Sequence, residues 1–89
     1  MQLEVTQDHI DKGWKANGVK CPVAYAFTEK GYNCCIGTTA LFADVYPGCE
    51  FFCDNRLEKW ILDFDAGNKV SPFTLELDEK NKEAIFKGS

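Results

Sequence analysis

Thiols and a single imidazole are the side chains of this sequence best suited to metal binding or nucleophilic catalysis. Histidine occurs only at position 9, and the five cysteines are Cys21, Cys34, Cys35, Cys49 and Cys53. An odd number of cysteines cannot pair fully within one chain, and residues 1–7 lack the basic start and apolar run of a secretion signal. The pattern therefore favours reduced thiols that serve as small buried apolar side chains.

Two reactive roles for these thiols remain open. A structural zinc ion needs four ligands, but no Cys-x-x-Cys pair occurs and the closest spacing is Cys49-x-x-x-Cys53, so we expect no metal and no cofactor. His9 could activate Cys21 as a nucleophile, because Cys21 precedes a proline and thiol pKa values fall at helix starts. A small cysteine-dependent enzyme is therefore one alternative, against a capping or surface role for His9.

Signature motifs of catalysis are absent from the sequence. It contains no glycine-rich phosphate loop, no Gly-x-Ser-x-Gly and no His-Glu-x-x-His. Asp63 and Asp65 are a spaced acid pair, but they flank the apolar Phe64, which places them at the solvated end of a helix rather than in one pocket. The sequence thus predicts a protein that is not an enzyme and has no catalytic residue.

One segment, between residues 12 and 30, is basic: four lysines accompany one acid, for a local charge of +3. A helix that starts at Cys21-Pro22 would direct its first amides and the positive end of its dipole toward this segment, and nearby aromatic rings could stack on a base. We therefore predict a site for a small anionic ligand, such as a nucleotide, at Lys12, Trp14, Lys15, Lys20, Cys21, Val23 and Tyr25. The alternative is an ordinary solvated face, with Trp14 in the core or at an interface.

Composition places the chain among single-domain globular proteins. With 89 residues, 45% of them apolar and 27% charged, we predict one domain over 1–89, with 79–89 either part of it or a loosely attached tail. The net charge of −4 argues against a surface shaped for nucleic acid or an anionic membrane, so no direct nucleic-acid binding is expected. No apolar run approaches the roughly 20 residues of a membrane span, and the missing secretion signal predicts a cytoplasmic protein without membrane partners.

Local patterns predict the first three elements. An apolar and polar alternation at residues 3–6 indicates a strand. A short helix follows, capped by Thr6 or Asp8 and ended by a left-handed Gly13. A second helix begins at Pro22 and ends at the next glycine.

The middle of the chain predicts strands. β-Branched, aromatic and cysteine residues dominate it, and Tyr46-Pro47-Gly48-Cys49 matches a type II turn that would pair 39–45 with 49–53 as a hairpin. A further short strand is expected at 33–37. Asp54 then caps the best-marked helix, whose core-facing stripe is Leu57, Trp60, Ile61 and Phe64.

Residues 73–77 alternate as a last strand after Pro72, while 78–89 could form a short strand, a loose helix or a partner-binding end. This order predicts an α+β fold, in which a short antiparallel or mixed sheet is backed by two to three helices. Because Phe51 and Phe52 are adjacent, a strand must direct them to opposite faces of that sheet. If helices cover one face only, a second subunit or a partner is needed to bury the other phenylalanine, so we predict a homo-oligomer or a partner complex.

Both ends of the chain carry segments with a known counterpart. They are HIDKG at 9–13, CPVAYA at 21–26, and WI with FD at 60–65 leading into VSPFTLEL at 70–77. These segments, with the strand at 3–6 before them, resemble a group of small uncharacterised proteins of bacteriophages and some bacteria; residues 32–53 have no counterpart. The resemblance implies a viral origin and the cytoplasm of an infected bacterium, but it assigns no role to any residue.

The resemblance implies a small acidic phage protein with a non-enzymatic role. Such a protein would bind and block a component of the host, such as a defence complex or a nucleotide signal. Sequestration of a nucleotide at the basic segment, enclosed between two copies, is our leading prediction, because lysines, aromatic rings and a helix start coincide there. The alternative is an inhibitor that blocks a host defence or nucleic-acid-processing complex through acidic residues. Those acids would be Asp54, Glu58, Asp63 and Asp65.

Overall fold

A six-stranded sheet and three helices make up the fold in the computed structural model, which describes residues 1–45 and 50–88. The helices are α1 (Gln7–Lys12), α2 (Pro22–Glu29) and α3 (Asn55–Asp65). The strands are β1 (Gln2–Val5), β2 (Cys34–Ile36), β3 (Ala40–Ala43), β4 (Glu50–Cys53), β5 (Phe73–Asp78) and β6 (Glu83–Phe86).

The sheet has the order β1-β5-β6-β4-β3-β2, and every neighbouring pair is antiparallel except β4 and β6, which are parallel. The α+β prediction with a mixed, helix-backed sheet is confirmed. Strands β3 and β4 pair antiparallel, as the predicted hairpin requires, with Leu41 opposite Phe51. The predicted turn at 46–49, which includes Cys49, lies outside the described residues.

The last strand occupies the middle of the sheet. Residues 83–86, which the sequence left open between a strand, a helix and a partner-binding end, form β6 and hydrogen-bond to β5 on one side and β4 on the other. Sequence patterns gave no indication of this position, because it depends on how distant strands meet rather than on local residues.

Capping residues begin each helix. Thr6 and His9 form a complete capping box at α1, and Asp54 accepts the Leu57 amide at α3. The prediction that Gly13 ends α1 in a left-handed conformation was wrong, because its φ is −69° and its ψ is 147°. Glycine is needed there for space: a Cβ at Gly13 would lie 2.5 Å from the ring of Pro22.

The core lies between the helices and one face of the sheet. The predicted stripe of α3 is buried in full, and strand residues such as Leu41 and Phe51 meet it from the sheet with less than 1% exposure. Residues that alternate with them, Phe42 and Phe52, point away from the core and are exposed. The sheet therefore has one face covered by helices and one outer face that is open in the described residues.

None of the helices described for residues 1–45 and 50–88 is long and apolar enough to cross a membrane.

Candidate functional site

The loop between α1 and α2 carries most of the predicted ligand-binding residues, and it is held at three points. The Trp14 amide donates to the Lys20 carbonyl at 2.8 Å, which closes the loop on itself. The Ala16 amide donates to a carboxylate oxygen of Asp65 at 2.8 Å, and the Gly18 carbonyl accepts from the amide of Ile36 on β2 at 2.8 Å. The loop is thus fastened to the end of α3 and to the edge of the sheet.

Two of the predicted residues meet on the outside of this loop. The ammonium group of Lys20 lies 4.4 Å from the centroid of the Trp14 ring, and this indole is 56% exposed. Trp14 is therefore a surface residue. Lys12 is engaged elsewhere, because its ammonium group pairs with Asp8 at 2.9 Å, and the hydrogen bond to Asp8 raises the pKa of Lys12.

The start of α2 is occupied by the chain's own thiol. Cys21 is the N-cap, its Sγ accepts the Ala24 amide at 3.5 Å, and its carbonyl accepts the Tyr25 amide at 3.0 Å. Burial raises the pKa of Cys21 to about 11, although the amides around Sγ act in the opposite direction. A neutral thiol therefore sits where the sequence placed an anion, and Val23 is completely buried beneath it.

A pocket of about 200 Å³ opens beside this helix start. It is lined by the loop residues 16–18, by Cys21 and Ile61 of the core, by residues 36–38 and by Asp65. Among the described residues, the only charged group in its lining is the Asp65 carboxylate, and of the seven predicted ligand-binding residues only Cys21 borders it. An anion bound in this part of the protein would contact the exterior of the loop, near Trp14 and Lys20, rather than the pocket.

His9 performs the capping role that the sequence offered as the alternative to catalysis. It is buried, its Nδ1 accepts the backbone amide of Thr6 at 2.9 Å, and its Nε2 lies 2.7 Å from a Glu29 carboxylate oxygen. Because Nδ1 accepts an amide proton, Nε2 carries the hydrogen that bonds Glu29. His9 therefore joins α1 to the end of α2, and its ring contacts described here do not include Cys21.

The described cysteines are free thiols; Cys21 and Cys34 are buried, as expected, and Cys53 is partly buried. Burial raises the pKa of Cys21 to about 11 and that of Cys53 to about 12, and it raises that of Cys34 still further. Cys35 is exposed on the outer face of the sheet. Within residues 1–45 and 50–88, no group of three or more His, Cys, Asp or Glu side chains has the arrangement of a metal site.

The acids predicted to form a docking surface are mostly used within the fold. Asp54 accepts two backbone amides, Asp63 pairs with Lys59 at 2.8 Å, and Asp65 holds the Ala16 amide. Pairing with Lys59 also lowers the pKa of Asp63. These carboxylates contribute negative charge to the helical side, but they are dispersed and already hydrogen-bonded.

The outer face of the sheet exposes two aromatic side chains. As the sequence predicts for adjacent residues on a strand, Phe51 is buried while Phe52 is 58% exposed; Phe42 on β3 is 53% exposed beside it. In the strand register Phe42 lies between Cys35 and Glu50, and Phe52 lies between Ala40 and Glu83. We call these six residues the outer-face patch: Cys35, Ala40, Phe42, Glu50, Phe52 and Glu83.

Sequence reasoning identified one of the two phenylalanines of this patch. Phe52 was identified from its neighbour Phe51, whereas Phe42 was missed, although the adjacent Leu41 and Phe42 give the same signal on β3. In the register of β3 and β4, Phe42 and Phe52 are diagonal neighbours, a spacing within reach of aromatic side chains.

Comparison of the chain with protein-family models, with curated proteins and with solved structures gives no match.

Proposed function

We propose that this protein is a non-catalytic binding protein that docks on a partner protein through the outer-face patch. The observation that carries the proposal is the pair of half-exposed phenylalanines, Phe42 and Phe52, on a sheet face that no described element covers. Of the two mechanisms expected from the sequence, the protein-blocking inhibitor fits this surface. Its contact surface would be the outer-face patch of the sheet instead of the acidic residues of the helical side.

The energetic argument rests on the exposed area of the two rings. Burying a whole phenylalanine side chain contributes about 1.5–3 kcal/mol. Phe42 and Phe52 are already about half buried, so a partner that covers both would gain roughly 1 kcal/mol or more from each. Rigid aromatic side chains on a strand lose little conformational freedom on binding, which suits them as interface anchors.

Charge indicates the kind of partner. Glu50 lies directly opposite Phe42, and Glu83 lies opposite Phe52, so each ring has a carboxylate beside it. The whole chain also carries a net charge of −4. A surface of this type complements an apolar groove rimmed with lysine or arginine, as in proteins that handle nucleic acids.

The test uses matched single substitutions of exposed apolar residues. Phe42→Lys and Phe52→Lys alter the patch, and Leu62→Lys makes the same change at a residue of α3 that is 50% exposed. Immobilised proteins are incubated with bacterial extract, retained proteins are identified by mass spectrometry, and affinities are then measured with the purified partner. We expect each patch substitution to weaken binding about fivefold or more and Leu62→Lys to leave it unchanged.

Equal binding by all three variants, or no specific partner for the wild type, would contradict the proposal. Sedimentation of the chain alone tests the predicted homo-oligomer in the same variants. A dimer that Phe52→Lys dissociates and Leu62→Lys preserves would show that the outer face meets a second copy instead of a host protein.

Nucleotide sequestration remains the second candidate, favoured by the contact of Lys20 with the exposed Trp14 ring. A base stacked on the indole would leave its phosphates close to Lys20, while the Lys15 ammonium lies on the side of the loop nearer Gly67. Native mass spectrometry with cyclic and linear nucleotides tests this directly. Binding that Lys15→Glu with Lys20→Glu abolishes and Phe52→Lys leaves intact would establish it in place of protein docking.

A further inference from the structure

A second cavity opens on the helical side of the sheet, between α3 and β6. It measures about 250 Å³ and is lined by Arg56, Lys59, Trp60, Asp63 and Phe86. Phe86 belongs to the core-facing side of β6, whereas the outer-face patch lies on the opposite side of the sheet. The groove and the patch are therefore separate features, and either can exist without the other.

The aromatic wall of the groove is held in place. The indole Nε1 of Trp60 donates to the Ser71 carbonyl at 2.9 Å, and its ring packs on Phe73 with 4.8 Å between centroids. Phe73 in turn stacks on Phe86, with centroids 4.5 Å apart and planes 19° from parallel. A flat apolar ligand would meet a surface that needs no rearrangement, which reduces the entropic cost of binding.

Arg56 supplies a positive charge at the mouth of this groove. It is the chain's only arginine, and its guanidinium lies 5.8 Å from the centroid of the Phe86 ring. Its ion pair with Asp54 Oδ2 is long, at 4.0 Å, and that oxygen also accepts the Phe86 amide. Lys59 and Asp63 pair at 2.8 Å, so within the described lining Arg56 is the cation left with only this long contact.

We infer that this groove binds a small aromatic carboxylate, with Arg56 holding the carboxylate and the ring packing against Trp60 and Phe86. Arginine presents paired N–H donors that match the two oxygens of a carboxylate. The volume supports a single ring, because pockets for larger organic ligands span roughly 300–1,000 Å³. The Arg56 guanidinium would repel a cation of the same shape.

Phenylacetate is a suitable probe, with benzyl alcohol and benzylamine as neutral and cationic analogues. The chain has two tryptophans, so Trp14→Phe leaves Trp60 in the groove as the only indole reporter. Fluorescence titrations in this background compare Arg56→Gln and Arg56→Lys with Lys30→Gln. The last variant removes one charge from an exposed lysine at the end of α2 and serves as the matched control.

We expect saturable quenching or enhancement by phenylacetate, with affinity about tenfold weaker in Arg56→Gln, partly retained in Arg56→Lys and unchanged in Lys30→Gln. Benzyl alcohol should bind more weakly than phenylacetate, and benzylamine should not bind. The inference is overturned if phenylacetate gives no saturable change at millimolar concentration, or if the acid and the alcohol bind equally. Equal binding by Arg56→Gln and the parent would also overturn it.

Discussion

Asp54 connects the start of α3 to the central strand β6, and its removal should destabilise both. Its backbone amide donates to the Ala84 carbonyl at 3.0 Å, where β4 and β6 run parallel. Its side chain continues that pairing, since Oδ2 accepts the Phe86 amide at 3.2 Å. The second oxygen, Oδ1, accepts the Leu57 amide at 2.8 Å and caps the helix.

The cost of each substitution follows from which of these bonds it removes. Loss of a helix cap costs about 1 kcal/mol, and leaving a partly buried amide without an acceptor costs about 1 kcal/mol more. Asp54→Ala removes both bonds, so we expect a loss of about 2 kcal/mol. Asp54→Ser keeps a capping oxygen but has no second oxygen for Phe86, which predicts a loss of about 1 kcal/mol.

Urea unfolding followed by circular dichroism measures these differences. With an m-value of about 1–2 kcal/mol per molar for a small domain, Asp54→Ala should lower the midpoint by about 1 M or more, and Asp54→Ser by roughly half as much. Glu58→Ala, on the first turn of the same helix, is the control and should cost less than about 0.5 kcal/mol. The double role of Asp54 would be refuted if the Ser and Ala variants were equally unstable, or if neither differed from Glu58→Ala.

Three further predictions concern the buried thiols and a glycine. Burial raises the pKa values of Cys21 and Cys53 to about 11 and 12, so the folded protein keeps protons that the unfolded chain releases above its thiol pKa near 9. The contribution of these thiols to stability should therefore be constant below about pH 8, and measured stability should fall from pH 9 to 11 in urea titrations. A thiol reagent should modify the exposed Cys35 rapidly in the native state, with the buried thiols reacting only in denaturant; fast modification of every thiol would contradict their burial. Gly13→Ala should cost about 1–3 kcal/mol because its Cβ would clash with a proline ring, whereas Gly37→Ala, whose Cβ would have 3.6 Å of room, should cost less than half as much in thermal melts.

Some features of the candidate site come from residues close together in the sequence, and others come from contacts between distant segments. Lysines and an exposed tryptophan in one loop are visible in the sequence, and Lys20 does meet Trp14. Two other features depend on packing between separate elements. The Cys21 thiol fills the start of α2, and the Asp65 carboxylate accepts the Ala16 amide. The Arg56 groove was missed for this reason, because Phe86 comes from a strand 30 residues further along the chain.

The sequence by itself determined the elements whose signals lie within a few residues: the three helices, the Asp54 cap and buried stripe of α3, the pairing of β3 with β4, and the alternation of β5. Only the tertiary structure decided that β6 lies between β4 and β5, and that Phe42 joins Phe52 on an open face. The physical reason is range. Capping and periodicity act between residues about one turn apart, whereas the choice of strand neighbours depends on the best total burial of the whole chain.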